Sequence, residues 1–393
     1  LYPFENYKKN KNRSNSIEMI DIGGCSLIRA SSKNYKYVTT ISNINDYKPL
    51  IKNLKKNNGI TDLIFRKEMA YKAFNATSKY DNQISNWIID ENKRKDKLNL
   101  RYGENPYQRA HIINNTNLPI AKIQISGKDI SYNNILDVDS GVKCLNEFKE
   151  PTCVIIKHNN PCGIASSNKI NIAYKKALNS DRKSAFGGVL LLNKKINLEL
   201  ASLILKNFYE VIVAPNYEKK AEDILKKKEK LILLKVGKTR LNKSETKETI
   251  FGEIIQNNSN LKIDKNFFIN KTSKKISQKD MEELIFATKV VKHVKSNAIV
   301  LASNKQIIGI GGGQTNRIDS LKIALKNYRT HFKEKKFVCV SDGFFPFVDS
   351  LKLLNKNKCG IVAQPSGSIR DKKNIDYAKR NKISLFFLRN RLF

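Results

Sequence analysis

The segment CVIIKHNNPCGIA, residues 153–165, sets four apolar residues directly before Lys157 and His158, after which a turn is expected through Asn159-Asn160-Pro161-Cys162-Gly163. An ammonium and an imidazole side by side at the end of a buried strand are costly to desolvate. Such a pair is kept either by accident of topology or for chemistry. A neighbouring ammonium and partial burial both disfavour the imidazolium, which suits a general base near neutral pH. On residue types alone a structural role for His158 is equally open. The other histidines have weaker contexts: His111 follows a loop, His293 lies in a lysine-rich helix and His331 stands beside Arg329 and Lys333. Surface positions are expected for all three.

Two further loops each follow a strand-like run: IGIGGGQTNRIDS (308–320) and SDGFFPFVDS (341–350). In open α/β sheets, ligands gather beyond the carboxyl ends of strands. The glycine cluster fails the dinucleotide fingerprint because Gln314 stands where glycine is required. It reads as a tight turn, with Gln314, Asn316 and Arg317 placed to meet a ligand. The aromatics of 341–350, flanked by Asp342 and Asp349, suit either a core turn or a flat heterocycle. In LRYGENPYQ (100–108), Arg101 and Tyr102 have the donors to hold a phosphate. Pro161-Cys162-Gly163 matches half of a zinc-deaminase signature, but its second cysteine and H-x-E element are missing, so no zinc site is expected.

The elements that must position these loops follow from periodicity. Strands are expected at 153–156, 189–192, 210–214, 231–236, 298–302, 306–310, 337–340 and 360–363. Helices are expected at 172–178, 198–207, 348–356 and 279–294, the last capped by Ser277. Alternation of the two predicts an α/β architecture. Residues 1–90 form a separate unit, with 35–41 alternating like a strand and 61–88 helical. The polar run IDENKRKDKLN holds a linker at 91–99, and 100–393 form the second domain, with subdomains about 100–275 and 276–393. Lysine-rich 218–230 reads as an exposed helix and loop. No short repeat is visible.

The 393 residues exceed one ordinary core. No apolar run reaches the roughly 18 residues of a membrane span, and no signal peptide is visible, so no membrane partner and a cytoplasmic location are expected. The start without methionine reads as a fragment. None of the six cysteines forms a C-x-x-C pair, which predicts buried free thiols. Lys plus Arg number 73 against 36 Asp plus Glu, a net charge of +37. That balance favours polyanionic partners. The lysines are spread along the whole chain, however, and no nucleic-acid-binding motif organises them, so a nucleic-acid-binding protein is kept only as an alternative.

Taken together, LRYGENPYQ, SYNNILD, IIKHNNPCG, SDRKSAFGG, VKSNAIV, IGIGGGQTNRIDS, SDGFFPFVDS and QPSGSIRD resemble, block by block and in order, the bifunctional AICAR transformylase/IMP cyclohydrolase family of purine biosynthesis. LYPF, IDIGG, RASSKN and RKEMAYKAF resemble the back part of that family's cyclohydrolase domain. The resemblance implies two cytidine-deaminase-like α/β/α subdomains without zinc, preceded by part of a Rossmann-like, methylglyoxal-synthase-like domain. It also implies a homodimer. The implied activity is formyl transfer from 10-formyltetrahydrofolate to the 5-amino group of AICAR, with potassium bound in some members and cyclisation to IMP by the full-length protein. The front of the cyclohydrolase domain has no match, so little cyclohydrolase activity is expected of this chain. A catalytically dead paralogue is the other alternative.

Residue by residue, the resemblance makes His158 the base, Lys157 the stabiliser of the transition state and Asn297 the donor that orients the formyl group. AICAR contacts carry over to Arg101, Tyr102, Asn134, Gly187, Glu210, Arg317, Phe344 and Arg391, besides His158 and Asn297. Folate-side positions are Ile318, Asp349, Ser368 and Ile369. Of the cyclohydrolase, Lys33 matches the ring-closure acid/base, and Leu1, Asp21 and Ile22 match IMP-binding positions. The chain departs from the family pattern at Tyr107, where histidine is usual, and at Arg182, where proline is common. It also ends RNRLF, about two residues before the usual basic tail.

Overall fold

Alternating side chains along eight strand-like runs demand helices on both faces of a sheet. That is the arrangement found in a computed structural model, which describes residues 1–7, 13–93, 97–113, 118–239, 244–258, 261–332 and 336–393. The chain divides into two compact units, residues 1–98 with 112–115, and 99–111 with 116–393.

In the first unit the main helices are α1 (Gly23–Lys33), α2 (Tyr47–Lys56) and α3 (Leu63–Lys93). Met69, Ala73, Thr77 and Tyr80 are buried at helical spacing along α3. Phe4 packs edge-on against Trp87, ring centroids 5.4 Å apart. Residues 35–41, expected as a strand, form a turn and extended chain instead. The Tyr35 and Val38 amides cap α1 by donating to Ser32 and Asn34 carbonyls, and residues 13–93 offer no strand to pair with. The expected linker is helical up to Lys93, residues 97–99 are extended, and 94–96 lie outside the described residues.

The second unit is built on a twelve-stranded mixed sheet. Its elements begin with β1 (Gln124–Ser126) and α4 (Tyr132–Leu145), then β2 (Thr152–Lys157), β3 (Asn160–Ser166), α5 (Ile170–Ser180) and β4 (Gly188–Leu192). There follow α6 (Leu198–Ile204), β5 (Tyr209–Ala214), α7 (Lys219–Lys226), β6 (Ile232–Lys235) and β7 (Phe268–Asn270). The last stretch is α8 (Gln278–Val291), β8 (Ile299–Ser303), β9 (Gln306–Gly311), α9 (Arg317–His331), β10 (Val338–Ser341), α10 (Asp349–Lys356), β11 (Ile361–Pro365), α11 (Asp371–Arg380) and β12 (Ser384–Leu388). Across the sheet the order is β7-β12-β11-β10-β8-β9-β3-β2-β4-β5-β6-β1.

Although no repeat is legible in the sequence, the nine elements α4 to β6 recur in the same order from α8 to β12. The strand order β3-β2-β4-β5-β6 is repeated by β9-β8-β10-β11-β12, and the two sets meet where β3 pairs antiparallel with β9 at Ala165 and Gln306. Cys153, Ile155, Leu190 and Leu192 face one side with α5 and α6, while Val154, Ile156, Val189 and Leu191 face the other with α4 and α8. Gly163 on β3 and Gly309 on β9 play the same part in each set. A Cβ at either would land on the carbonyl of Ala177 in α5 or Ala324 in α9, so glycine lets helix backbone lie directly on the strand.

All six cysteines are free thiols, five of them buried and Cys162 half-buried. No described helix is long and apolar enough to cross a membrane.

Candidate active site

Sheet topology brings the three loops to one edge. β2 ends there at Lys157 and β3 leaves from its partner Asn160. β4 starts at Gly188, beside Val189, the partner of Ile156. β9 ends at Gly311 opposite Ile299, where β8 begins, and Ile299 also faces Ser341, the end of β10. The antiparallel β3–β9 pair points the Gly311 end toward Asn160.

Lys157 and His158 stand on a β-hairpin. The loop is only His158-Asn159, with φ of 52° and 61°. Two residues in the left-handed region between antiparallel strands form a type I′ turn, which asparagine favours and histidine tolerates. The sequence suggests a longer turn through Gly163. In fact Asn160-Pro161-Cys162-Gly163 is already β3, and Pro161 is accommodated at a register shift opposite Ile156. His158 is exposed rather than partly buried as expected, because the turn projects beyond the sheet edge.

The surroundings of the turn fix it closely. Lys157 Nζ donates to the carbonyls of Phe186 at 3.1 Å and Gly187 at 2.9 Å. Gly187 has a φ of 66°, and a Cβ there would stand 3.2 Å from Lys157 Nζ. The Asn159 amide donates to Asp137 Oδ1 at 2.6 Å, and Ser140 Oγ donates to the Asn159 carbonyl at 3.0 Å. Burial pushes the Asp137 carboxyl up, opposed by the Asn159 hydrogen bond and by the charges of His158 and Lys157.

Asn160 ties this turn to the second set of elements. Its Oδ1 accepts from the Lys295 amide at 3.0 Å, two residues before Asn297. Asn297 Nδ2 donates to the carbonyls of Gln314 at 2.9 Å and Thr315 at 3.1 Å, and its Oδ1 accepts from Arg317 Nη2 at 2.8 Å. Arg317 Nη1 donates to Ser341 Oγ at 2.8 Å and pairs with Asp342, whose side chain is fully buried. Ser296 Oγ closes the network on Asp342 Oδ2 at 2.5 Å. Arg317 is thus held within the protein, and Asp342, noted in the sequence only as a flank of the aromatics, is its anchor.

The other anticipated positions fall into smaller groups. Asn134 Nδ2 and Lys128 Nζ both lie 3.4 Å from Glu210 Oε2, while Arg101 donates to the Tyr102 hydroxyl at 2.8 Å and lies over its ring. A cavity of about 670 Å³ beside Gly187 is lined by Phe186, Phe208, Glu210 and Lys128 among others. Arg391 lies 5.5 Å over the Phe344 ring. Ile318 packs on the core beneath α9, Ser368 Oγ accepts from the Arg370 amide, and Asp349 and Ile369 are exposed. In the first unit Asp21 accepts from the Tyr2 and Gly24 amides, whereas Leu1, Ile22 and Lys33 are exposed. His293, expected at the surface, is only 13% exposed and faces Glu147 at 3.3 Å, because it follows α8 toward the end of α4. Lys333 lies outside the described residues. Among the described residues no group of three or more His, Cys, Asp or Glu side chains could hold a metal ion.

A lysine–histidine pair on a tight turn, tied through Asn160 and the Lys295 amide to the segment that carries an asparagine–arginine–aspartate network at one edge of an α/β sheet, is the layout of an enzyme. Residues 31–327 match the AICARFT/IMPCHase bienzyme family. The chain is 42% identical, over 419 aligned positions covering all of it and 80% of the relative, to the bifunctional purine biosynthesis protein PurH of Caldicellulosiruptor bescii. It is 39% identical to that of Fusobacterium nucleatum and 38% to that of Prochlorococcus marinus, again over 100% of this chain and 80% of the relative. The chain belongs to this family of bifunctional purine-biosynthesis enzymes. Neither the nucleic-acid-binding reading nor the dead-paralogue reading finds support in these similarities.

Proposed function

We propose that the second unit transfers a formyl group from 10-formyltetrahydrofolate to the 5-amino group of AICAR, giving formyl-AICAR and tetrahydrofolate. The observation that carries this reading is the Asn160–Lys295 hydrogen bond, which joins the Lys157-His158 turn to the segment holding Asn297. The amine is a poor nucleophile because its lone pair is delocalised into the ring and carboxamide. His158 takes its proton as the new C–N bond forms, the bond from the formyl carbon to folate N10 breaks, and a proton returns to N10. Lys157, aimed by two carbonyls, stabilises the oxygen that becomes negative. Asn297 gives up a carbonyl contact to donate to that oxygen.

Arg101, Tyr102 and Arg391 suit the ribotide phosphate, Phe344 the imidazole ring, and Asn134, Gly187 and Glu210 the remaining AICAR contacts. Arg317 serves by holding Asn297. Ile318, Asp349, Ser368 and Ile369 are assigned to the folate side. None of the unpartnered buried side-chain polar atoms belongs to the Lys157–Asn160 turn, to 296–297 or to 312–317, and no step is routed through potassium.

The repeated strand order supports two cytidine-deaminase-like subdomains in 100–393, and the first unit is read as the back part of a cyclohydrolase domain carrying Lys33. Exposed Phe186 and Phe208 beside Gly187 are the kind of surface a second copy would cover, which supports a homodimer; the assignment to the cytoplasm rests on the sequence alone. Incubation with AICAR and 10-formyltetrahydrofolate tests the reading. Formyl-AICAR is expected from the wild type and not from His158→Ala, and its absence from folded wild-type protein would contradict the assignment.

A further inference from the structure

The clamp on the catalytic turn exists twice. In the first set, the Asp137 carboxylate on α4 accepts the amide of Asn159, 22 residues on. In the second, the Glu283 carboxylate on α8 accepts the amide of Lys305, also 22 residues on, through both oxygens at 2.9 Å. Each acid lies six residues after a serine N-cap, Ser131 or Ser277. Each closes a two-residue turn in the left-handed region: His158-Asn159, or Asn304-Lys305 with φ of 54° and 51°. Both carboxyls are pushed up by burial.

The two clamps differ in what they hold. Ser140 gives the first turn a second grip by donating to the Asn159 carbonyl. The residue at the same spacing in α8 is Phe286, which is buried in the core. Because β3 and β9 run antiparallel, the second turn lies at the opposite sheet edge from Lys157 and Asn297.

Resting on the transferase reading, we propose that Asp137 is a positioning residue of the reaction. Its carboxylate, with Ser140, fixes the left-handed His158-Asn159 turn and so aims the imidazole at the reacting amine. Glu283 is the same device with no catalytic side chain to aim. The pair therefore contains its own control, since removing either acid frees a strained turn but only one turn carries chemistry.

The test compares Asp137→Ala, Asp137→Asn, Ser140→Ala and Glu283→Ala in the full chain by steady-state formyl transfer and by amide hydrogen exchange. Asp137→Ala is expected to speed exchange at Asn159 and to lower kcat at least about tenfold, with KM for AICAR within about threefold, as misaiming a reacting group does. Asp137→Asn keeps an acceptor oxygen and is expected within about threefold of wild type. Glu283→Ala should speed exchange at Lys305 and leave kcat unchanged. Equal losses of kcat from Asp137→Ala and Glu283→Ala, or no loss from Asp137→Ala, would overturn the proposal. If Asp137→Ala does not fold, Ser140→Ala decides: a lower kcat at an unchanged melting temperature supports the clamp, and an unchanged kcat overturns it. An inactive wild type would contradict the transferase reading itself, and the exchange rates would still judge whether Asp137 holds the turn.

Discussion

Arg317 donates to the side-chain oxygen of Asn297 at 2.8 Å while its other branch pairs with the fully buried Asp342. The fork has two duties that substitutions can separate. Arg317→Lys keeps a charge against Asp342 but cannot span to Asn297, so formyl transfer should fall more than about tenfold with a melting temperature within a few degrees of wild type. Arg317→Ala strands a buried carboxylate and should cost about 3–5 kcal/mol of stability. Kinetics and denaturant unfolding on the two variants check both halves. Equal stability losses would show that the hydrogen bonds of the guanidinium, and not its charge, hold Asp342.

Gly187 controls where Lys157 points. Its φ of 66° disfavours any side chain, and a Cβ would crowd the ammonium at 3.2 Å. Gly187→Ala should lower kcat by at least about tenfold while the unfolding midpoint moves little, because the strain falls at the sheet edge and not in the core. Steady-state kinetics with circular dichroism melting would check this.

The paired glycines make a folding prediction independent of catalysis. Gly163→Ala and Gly309→Ala each force a methyl onto a helix carbonyl, and each should destabilise by about 1–3 kcal/mol as overpacking does. Similar losses are expected because each strand meets its helix in the same way. Urea denaturation measures both.

Glu147 supplies a pH dependence. Burial opposes its ionisation most strongly, but hydrogen bonds from His293 and Lys292 outweigh it, so the carboxyl is held below its usual range. A depressed folded-state pKa adds stability that is present above the unfolded value, about 4.3, and is lost as pH falls through the folded one. Melting temperature should therefore drop below about pH 4, and Glu147→Gln should flatten part of that drop. A pH series of melts on both proteins would show it.

Much of this was legible in the residues. The run ending at Ile156 is a buried strand, Ser277 caps α8, and the loops after β2, β9 and β10 do share one edge. β3 was hidden because Pro161 and Gly163 are turn residues by type. Only the neighbouring bulge and the close approach of α5 explain them in a strand. Residues 35–41 alternate like a strand but lack a partner, and alternation cannot supply one. The clamp by Asp137 was invisible for a different reason. Its acceptor and donor lie 22 residues apart on a helix and a hairpin, a spacing that no local period predicts. The matching Glu283 becomes meaningful only once the repeated element order is known. Arg317 stands out in the sequence by its place after the glycine loop, but its hold on Asn297 depends on Asp342 arriving from β10.

The most direct test of the central claim uses formyl-AICAR and tetrahydrofolate, with the nucleotide product identified by mass. The account predicts AICAR from the wild type, the transfer run in reverse, and none from His158→Ala. AICAR formed equally by both proteins, or by neither when both are folded, would contradict it.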